Sequence, residues 1–553
     1  MLSQTLTPAV QQPITVYPFG TSGYRSDLTE GFNDAVVYQL TRAVCDGLVQ
    51  DAQAQAARGE TPRTVLVVGG DTREKTRAFL PKVALWAQQS GFDVVVITHP
   101  VPTPLVAYAA AYLEEVCPVF KNDQSAGAIL LTASHNPWQY GGFNVLTHEG
   151  AVAPSAISKR IEALQAQPEN LVLQREALQL SHVAMMHEID PTQAYLHHVK
   201  TRLGLDFSKV FQPLQAQEKG QKQLHVIYDG LRGAGQVSFP NILNHFGVPV
   251  LTLDTHTEGT MPNPTPERLA PVAKVLQEKA TLMDAFVVGL ANDGDADRFG
   301  VMDESGQVLD NNDVLLLVLE ALRAMLPQVD TQGATLCVSQ ATSGTLFQRA
   351  EQLGYTAQAT PVGFKYVAQA IQSSEKPVLL AGESSGGLTV LRHVPEKDGI
   401  LANLLILALV AMAQKPLSVI LSELKTSLRT TRFIEHVYHI QGGKGYVQQW
   451  AECLEPTLQA EKLASCFQKP LDVTRTQSHR QYLQETFDTP DGAKLFFQDG
   501  SWLLCRASGT EPVLRIYAEG VGTNAQEAEA NALAMLHAAA HFLGLDVTTA
   551  KDH

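Results

Sequence analysis

Four short stretches of this 553-residue chain combine side-chain types and spacings that can do chemistry. The first is Leu131-Thr132-Ala133-Ser134-His135-Asn136-Pro137, which follows the apolar run Ala128-Ile129-Leu130-Leu131. That run predicts a buried strand, which delivers Ser134 to a tight loop at the strand's C-terminal end, where open α/β sheets bind ligands. A small hydroxyl beside an imidazole, held by an Asn-Pro turn, can carry a covalent intermediate. The same residues also make an ordinary turn. The second stretch, Asp293-Gly294-Asp295-Ala296-Asp297-Arg298, places a carboxylate at every second residue. In an extended or looping segment all three fall on one side and suit Mg²⁺, a hard cation that prefers oxygen ligands. A solvated acidic turn is the plain alternative. The predicted strand Ala285 to Gly289 feeds this loop directly, so its burial would be costly without a cation. An EF-hand is the rival metal reading, because Glu304 falls at the twelfth loop position. Arg298, however, stands where that loop needs glycine, and a strand leads in. The third and fourth stretches are Gly382-Glu383-Ser384-Ser385-Gly386 and Arg506-Ala507-Ser508-Gly509-Thr510-Glu511-Pro512.

In this order, the four stretches resemble the signature loops of the α-D-phosphohexomutase superfamily, which includes phosphoglucomutases and phosphomannomutases. The likeness runs from about Phe19 to about Glu519 and is greatest to phosphoglucomutase. The resemblance implies an isomerase that interconverts hexose 1-phosphate and hexose 6-phosphate, glucose first and mannose as an extension. It implies that Ser134 carries a phosphoryl group and joins Asp293, Asp295 and Asp297 around Mg²⁺. The phosphoryl passes to the sugar, and the resulting 1,6-bisphosphate turns over in the site; glucose 1,6-bisphosphate is then intermediate and activator. Arg25, in Phe19-Gly20-Thr21-Ser22-Gly23-Tyr24-Arg25, carries over as a contact to substrate or phosphoserine. Its segment read alone is a Gly-rich turn with an exposed arginine. Arg298 would touch a phosphoryl oxygen. Reading a sugar in two orientations needs hydrogen-bonding groups at a close-approach loop, which Glu383 and Ser385 supply. The non-reacting phosphate needs guanidinium forks, hydroxyls and backbone N–H groups. Arg506, Ser508, Gly509, Thr510 and Arg515 offer these, with Lys365 a second phosphate candidate. A surface turn with solvated arginines, and a solvated helix-end lysine, are the plain alternatives.

Three departures from the superfamily pattern stand out. After the serine, many relatives continue to Gly-Phe-Lys or Gly-Ile-Lys, whereas this chain has Gly142-Phe143-Asn144. An amide cannot exchange a proton near neutral pH, so the acid/base role stays open, with His135 the nearest titratable candidate. Ala507 replaces a usual proline and Ser26 a usual glycine; neither position supplies a donor the reaction requires. Glu383-Ser384-Ser385-Gly386 differs from the Glu-Gln-Ser-Gly common in phosphoglucosamine mutases. Phosphomannomutase or phosphoglucosamine mutase specificity remains an alternative, as do a metal-dependent phosphatase and a non-catalytic sugar-phosphate-binding homologue.

The elements that must position these loops alternate short apolar strands with helices. Val65 to Val68, Val94 to Ile97, His225 to Asp229, Ala334 to Val338 and Pro377 to Leu380 predict further buried strands. Asn33 to Gln53, Pro191 to Leu203 and Val314 to Met325 predict helices. The expected fold is α/β: three similar αβα domains with mixed, mostly parallel sheets, then a smaller α+β C-terminal domain, around a central cleft. The repeat is one of architecture; no sequence repeat accompanies it. The expected domains are 1–187 with the serine loop, 188–309 with the metal loop, 310–428 with the sugar loop and 429–553 with the phosphate loop. Asp71 and Arg73 are expected to form an ion pair or turn cap, and Gln165 to Ser181 a surface connection.

The net charge of −15 argues against a nucleic-acid or anionic-membrane binder, so a phosphorylated substrate must meet local Arg and Lys clusters. Six scattered cysteines without a CxxC pair point to a reduced cytoplasmic protein with no zinc framework. No signal peptide is visible. The longest apolar stretch, Leu401 to Ala413, is broken by Asn403 and too short to span a bilayer, which predicts a buried helix. The expected partner is a small hexose phosphate, and the expected state a monomer or homodimer.

Overall fold

The computed structural model describes residues 15–20, 23–29, 31–167, 170–181, 183–215, 222–254, 263–282, 284–439, 469–487, 491–508, 513–545 and 551–552. The first sheet contains β1 (Tyr24–Asp27), β2 (Val65–Gly70), β3 (Asp93–Val96), β4 (Ser125–Leu131), β5 (Tyr140–Leu146) and β6 (Met186–Glu188), in the order β1-β5-β4-β2-β3-β6. The second contains β7 (Gln223–Asp229), β8 (Val250–Leu253), β9 (Ala285–Asn292) and β10 (Phe299–Met302), in the order β10-β9-β7-β8. The third contains β11 (Thr335–Ser339), β12 (Thr356–Thr360), β13 (Val378–Glu383) and β14 (Gly387–Val390), in the order β12-β11-β13-β14.

These three sheets share one four-stranded unit. Its first strand pairs parallel with the second and the third, and the third pairs antiparallel with the fourth. β4, β9 and β13 are the three equivalent third strands. The turns that follow them carry Ser134, the aspartate cluster and Ser385, so three of the chemically equipped loops occupy one topological position. Each of those turns contains one left-handed residue: Ser134 at φ 50°, Ala296 at φ 55° and Gly386 at φ 93°. Only the last is a glycine; the other two hold a conformation that costs a side-chain-bearing residue of order 1–3 kcal/mol. The helices satisfy the crossover that parallel strands require. The one at Asp34–Ala57 starts where the Asn33 side chain accepts from the Ala35 and Val36 N–H groups.

The apolar helix Gly399–Ala413 is buried from Gly399 to Ala411 and packs against β9, β10 and β14, so the second and third domains share it. Asn403, which interrupts its hydropathy, donates to the Ala291 carbonyl at 3.2 Å and to Asn292 Oδ1 at 3.1 Å. The polar residue thus braces the strand that leads to the aspartates. No single described helix is long and apolar enough to cross a membrane. The last domain is an antiparallel sheet of β15 (Thr431–His439), β16 (Ala493–Phe496), β17 (Trp502–Ala507), β18 (Val513–Val521) and β19 (Lys551–Asp552), in the order β16-β17-β18-β15-β19, backed by the helix Ala525–Phe542.

Two expectations need correction. The junction after residue 187 falls inside β6, which pairs with β3, so the first sheet extends to Glu188. Gln165 to Ser181 is, as expected, a mostly exposed connection among its described residues, anchored at three points: Gln165 ends a helix and is buried, Leu173 joins the core, and Arg175 forms a buried pair with Asp93 at 3.1 Å. Arg25 sits not in a turn but in β1, opposite Gly142 of β5. The four cysteines among the described residues, Cys45, Cys117, Cys337 and Cys505, are free and buried.

Candidate active site

A web of buried donors holds the serine loop. The Ser134 N–H donates to Thr132 Oγ1 at 2.8 Å, and that hydroxyl donates to Asp71 Oδ2 at 2.6 Å. Arg73 pairs with Asp71 at 3.1 Å and donates to the carbonyls of Ser134, Asn136 and Tyr140 at 2.8, 2.5 and 3.1 Å. Asp71 and Arg73 are therefore the ion pair expected, and they also fix the backbone of the loop. Arg25 donates to Asn136 Oδ1 at 2.8 Å from the other side.

Asp293, Asp295 and Asp297 are buried, and one oxygen of each lies within 4.8 Å of the others. Glu304 bonds Ser418 instead and stands apart from them, which removes the EF-hand reading. Thr103 of the first domain fixes the loop: its N–H and Oγ1 donate to the Asp295 carbonyl and Oδ2, each at 2.9 Å. Burial, then Asp297 and Asp295, push Asp293 well above the usual carboxylate range. Burial and Asp297 push Asp295 to about 6. Burial also acts on Asp297, but Lys397 and Arg298 outweigh it and hold that group low. Asp295 Oδ1 and Asp297 Oδ1 are buried without a hydrogen-bond partner. Crowded carboxylates with orphaned oxygens are the donor set of a hard divalent cation. Ser134 Oγ lies 3.5 Å from Asp293 Oδ2, so the loops of the first and second domains meet oxygen to oxygen. His135 Nδ1 is 3.3 Å from the same Oγ. Burial and the positive charges of Arg298, Arg25, Lys397 and Arg73 hold the His135 ring neutral. Arg298 anchors its N–H on Asp293 Oδ1 at 3.1 Å and its Nη1 on Asn263 Oδ1 at 2.9 Å.

Lys397 and Glu396 are the residues that sequence reasoning missed. Lys397 is ion-paired with Asp297. Its stem crosses the backbone at Gly387, where a Cβ would lie 2.3 Å from Lys397 Cδ. Glu396 is 1% exposed and pushed to about 7, by burial first, and its Oε2 has no partner. The signal was the run Glu396-Lys397-Asp398-Gly399, which places three charged residues immediately before an apolar helix. In the third domain, Glu383 Oε1 accepts the Gly363 N–H at 2.7 Å. The Phe299 N–H reaches the Gly386 carbonyl at 3.3 Å, which ties the sugar loop to the strand after the aspartates.

Arg506 and Arg515 face each other across β17 and β18. Like charges in that register repel. Each has a carboxylate partner: Arg506 with Asp491 at 3.2 Å, Arg515 with Glu435 at 2.7 Å. They are paired, not solvated as the plain alternative had it. Ser508 closes the β17 end by donating its N–H to the Val513 carbonyl at 2.9 Å. Gly509 and Thr510 lie outside the described residues. Lys365 sits in the first turn of the helix Phe364–Ser373, 3.3 Å from Ser155 Oγ and over the Tyr366 ring at 4.9 Å.

All four domains line one cleft of about 2240 Å³. Arg25, His135, Asp295, Asp297, Arg298, Lys365, Glu383, Ser385, Arg506, Ser508 and Arg515 reach its wall, together with Asn144, Glu396 and Lys397. Ser134 and Asp293 are not part of that wall: they are buried, 3% and 0% exposed, beside the wall residues His135 and Asp295 in the chain. Four family profiles match the chain in order. They are phosphoglucomutase/phosphomannomutase α/β/α domain I over residues 17–171, domain II over 193–306, domain III over 310–427 and the C-terminal domain over 461–535. A phosphoglucomutase/phosphomannomutase of Thermococcus kodakarensis is 26% identical over 506 residues, covering 91% of this chain and 94% of that protein. A phosphoglucosamine mutase of Frankia alni is 27% identical over 502 residues, covering 91% and 93%. The phosphoglucomutase pp63/parafusin of Paramecium, in an open form, superposes with a TM-score of 0.73 at 20% identity, over 96% of this chain and 95% of that one.

Proposed function

The chain belongs to the phosphoglucomutase/phosphomannomutase family of isomerases, and from that premise we propose that it interconverts glucose 1-phosphate and glucose 6-phosphate through a phosphoserine at Ser134. The observation that carries this reading is the meeting of Ser134 Oγ with the buried aspartate cluster across a domain boundary. Asp293, Asp295 and Asp297, with the serine oxygen, would hold Mg²⁺, which when bound supplies neutralisation of charge on the transferring group.

In the first half-reaction, the Ser134 Oγ–P bond breaks as a bond forms from phosphorus to the free sugar hydroxyl. The proton of the hydroxyl passes to His135, whose ring is neutral beforehand, and on from His135 to Ser134 Oγ, 3.3 Å from its Nδ1, so that the serine leaves as a neutral hydroxyl. Asn144 cannot take that part. Arg25, bonded to Asn136 of the serine loop, and Arg298, anchored on Asp293, would face the phosphoryl oxygens with fixed positive charge. Lys397 keeps Asp297 ionised and so keeps the aspartate cluster anionic. The second half-reaction reverses these bonds on the other phosphate, after glucose 1,6-bisphosphate has turned in the cleft. Glu383 and Ser385 read the sugar hydroxyls in both orientations. Arg506, Ser508, Arg515 and Lys365 grip the phosphate that is not reacting, and Gly509 and Thr510 are assigned to the same grip from the sequence. A closed cleft that excludes water disfavours net hydrolysis, which separates this activity from a phosphatase.

Relatives named for phosphoglucosamine and for glucose or mannose stand at nearly equal identity, so sugar choice rests on the Glu383-Ser384-Ser385-Gly386 loop. The test is a coupled assay for the 6-phosphate product from glucose, mannose and glucosamine 1-phosphates, with Mg²⁺ and a trace of the matching 1,6-bisphosphate. We expect primed, Mg²⁺-dependent turnover, fastest on glucose 1-phosphate, and none from Ser134→Ala. A faster rate on glucosamine 1-phosphate overturns the sugar assignment, and a near-normal rate for Ser134→Ala overturns the phosphoserine.

A further inference from the structure

Asp491 lies just before β16 and joins two parts of the cleft wall that come from different domains. Its Oδ1 accepts from Arg506 Nη2 at 3.2 Å and from Nε at 3.3 Å. Its Oδ2 accepts the Val362 N–H at 2.6 Å. Gln340 Nε2 holds it from a third side, donating to the Asp491 carbonyl at 2.8 Å and to Oδ2 at 3.2 Å. The turn that presents it is close-packed. Asp491 stands at φ 45° and Gly492 at φ 93°, and a Cβ on Gly492 would lie 2.4 Å from the Cys505 carbonyl oxygen. The backbone of this turn is therefore pressed onto β17, one residue from Arg506. The residue after Val362 is Gly363, whose N–H is bound by Glu383 Oε1 at 2.7 Å. An unbroken path thus runs from Arg506 through Asp491 and the Val362-Gly363 backbone to Glu383.

We propose that Asp491 is a positioning residue for hexose phosphate binding: it orients the Arg506 guanidinium and fixes its distance from the hydroxyl-reading Glu383. The proposal rests on the reading of Arg506 as a phosphate contact. A hexose monophosphate is a short, stiff ligand, so a grip on its phosphate is productive only at a set distance from the grip on its hydroxyls. Charge alone makes the opposite prediction. A carboxylate beside a phosphate site repels the ligand, and its neutralisation would tighten binding. Orientation predicts the reverse, because Asp491→Asn leaves one acceptor where two carboxylate oxygens now serve Arg506 and Val362.

The experiment compares wild type, Asp491→Asn, Arg506→Ala and the double variant in steady-state mutase assays, with competitive inhibition by inorganic phosphate measured alongside. Loss of a charge-assisted contact corresponds to about a tenfold effect. We expect Asp491→Asn to raise KM, and the inhibition constant for phosphate, by that factor while kcat stays within about threefold. In the Arg506→Ala background it adds nothing further, because it acts through the missing guanidinium. An unchanged or lowered KM for Asp491→Asn, or a full additional loss in the double variant, overturns the proposal. If Arg506→Ala itself leaves KM unchanged, the phosphate-site reading fails instead, and the two failures are distinguishable. Should Asp491→Asn melt below the assay temperature, Gln340→Leu carries the test: it removes the amide that steadies Asp491 and should raise KM in the same direction, and an unchanged KM overturns the proposal.

Discussion

Replacing Arg73 with methionine keeps most of the side-chain volume and removes the guanidinium donors that hold the serine loop, leaving the Arg25 bond to Asn136. The guanidinium is 1% exposed and serves four acceptors: the carbonyls of Ser134, Asn136 and Tyr140, and Asp71 Oδ2. A buried acceptor left without its partner costs about 1–3 kcal/mol, and loss of one member of a buried ion pair about 3–5 kcal/mol. These overlap, and Asp71 keeps the Thr132 hydroxyl and the Arg73 N–H, so the net loss is about 3–5 kcal/mol. For a domain of this size that lowers the first-domain transition in scanning calorimetry by about 10 °C. The kinetic effect is separate. Ser134 holds its left-handed conformation because the loop is tied down on both sides, and without Arg73 it can relax to an ordinary one. A shift of about 1 Å in Ser134 Oγ costs about a hundredfold in turnover. Arg73→Lys keeps charge but not the fork, and should fall between. A transition lowered by under about 2 °C, with turnover within threefold of wild type, would refute the argument that these bonds position the serine.

Asp295→Asn removes one charge from the aspartate cluster. Without metal the variant should melt higher than wild type, because repulsion is relieved, and its stabilisation by added Mg²⁺ should shrink at least severalfold; an unchanged Mg²⁺ shift would remove the cluster as the cation site. His479, held to about 3 by burial, Lys494 and Arg475, stays neutral in the folded protein where an unfolded histidine protonates below about 6.5. The unfolded state then binds the extra proton, so stability falls as pH drops from 6.5 toward 3, by up to about 2 kcal/mol between pH 7 and pH 5. His479→Gln should flatten the urea midpoint of the C-terminal transition over that interval, and an unaltered pH slope would contradict the assignment.

Much of the fold was legible because its strands are buried on both faces. Val65 to Val68 and Ala128 to Leu131 read as unbroken apolar runs, and each of the loops after β4, β9 and β13 begins where such a run stops. The serine, the aspartates and Glu383 could be found because each lies in a short stretch whose composition changes abruptly at a strand end. What stayed hidden depends on pairing across long separations. Lys397 meets Asp297 one hundred positions away, and only the folded chain shows that its stem needs Gly387 to pass. Arg506 and Arg515 were visible as cations, but not their carboxylates, since Asp491 and Glu435 lie on other strands or turns. The pairing of Arg175 with Asp93 was hidden in the same way, because Asp93 opens a strand far away in the sequence.

The division of labour among the domains follows from how each loop is held. The loops of the first three domains sit at one topological position; those of the first two meet at Ser134 and Asp293, and segments of neighbouring strands and helices brace the second and third: Thr103 with Asp295, Lys397 with Asp297, Phe299 with Gly386. Groups fixed in that way gain their interaction with developing charge at no reorganisation cost. The fourth domain has a different sheet and contributes no equivalent loop. It is attached through Glu519, held within the domain by Trp502 Nε1 and accepting the Gly344 N–H of the third domain at 2.7 Å, and through Asp491, which accepts the Val362 N–H. The cations it brings, Arg506 and Arg515, keep 12% and 24% of their side chains exposed. On the proposed function, in which they grip the distal phosphate, that interaction would be much the same in ground and transition states, which is uniform binding. Substitutions in the first three loops should therefore fall mainly on kcat and those in the fourth on KM, a split that arises from architecture before any sugar is considered.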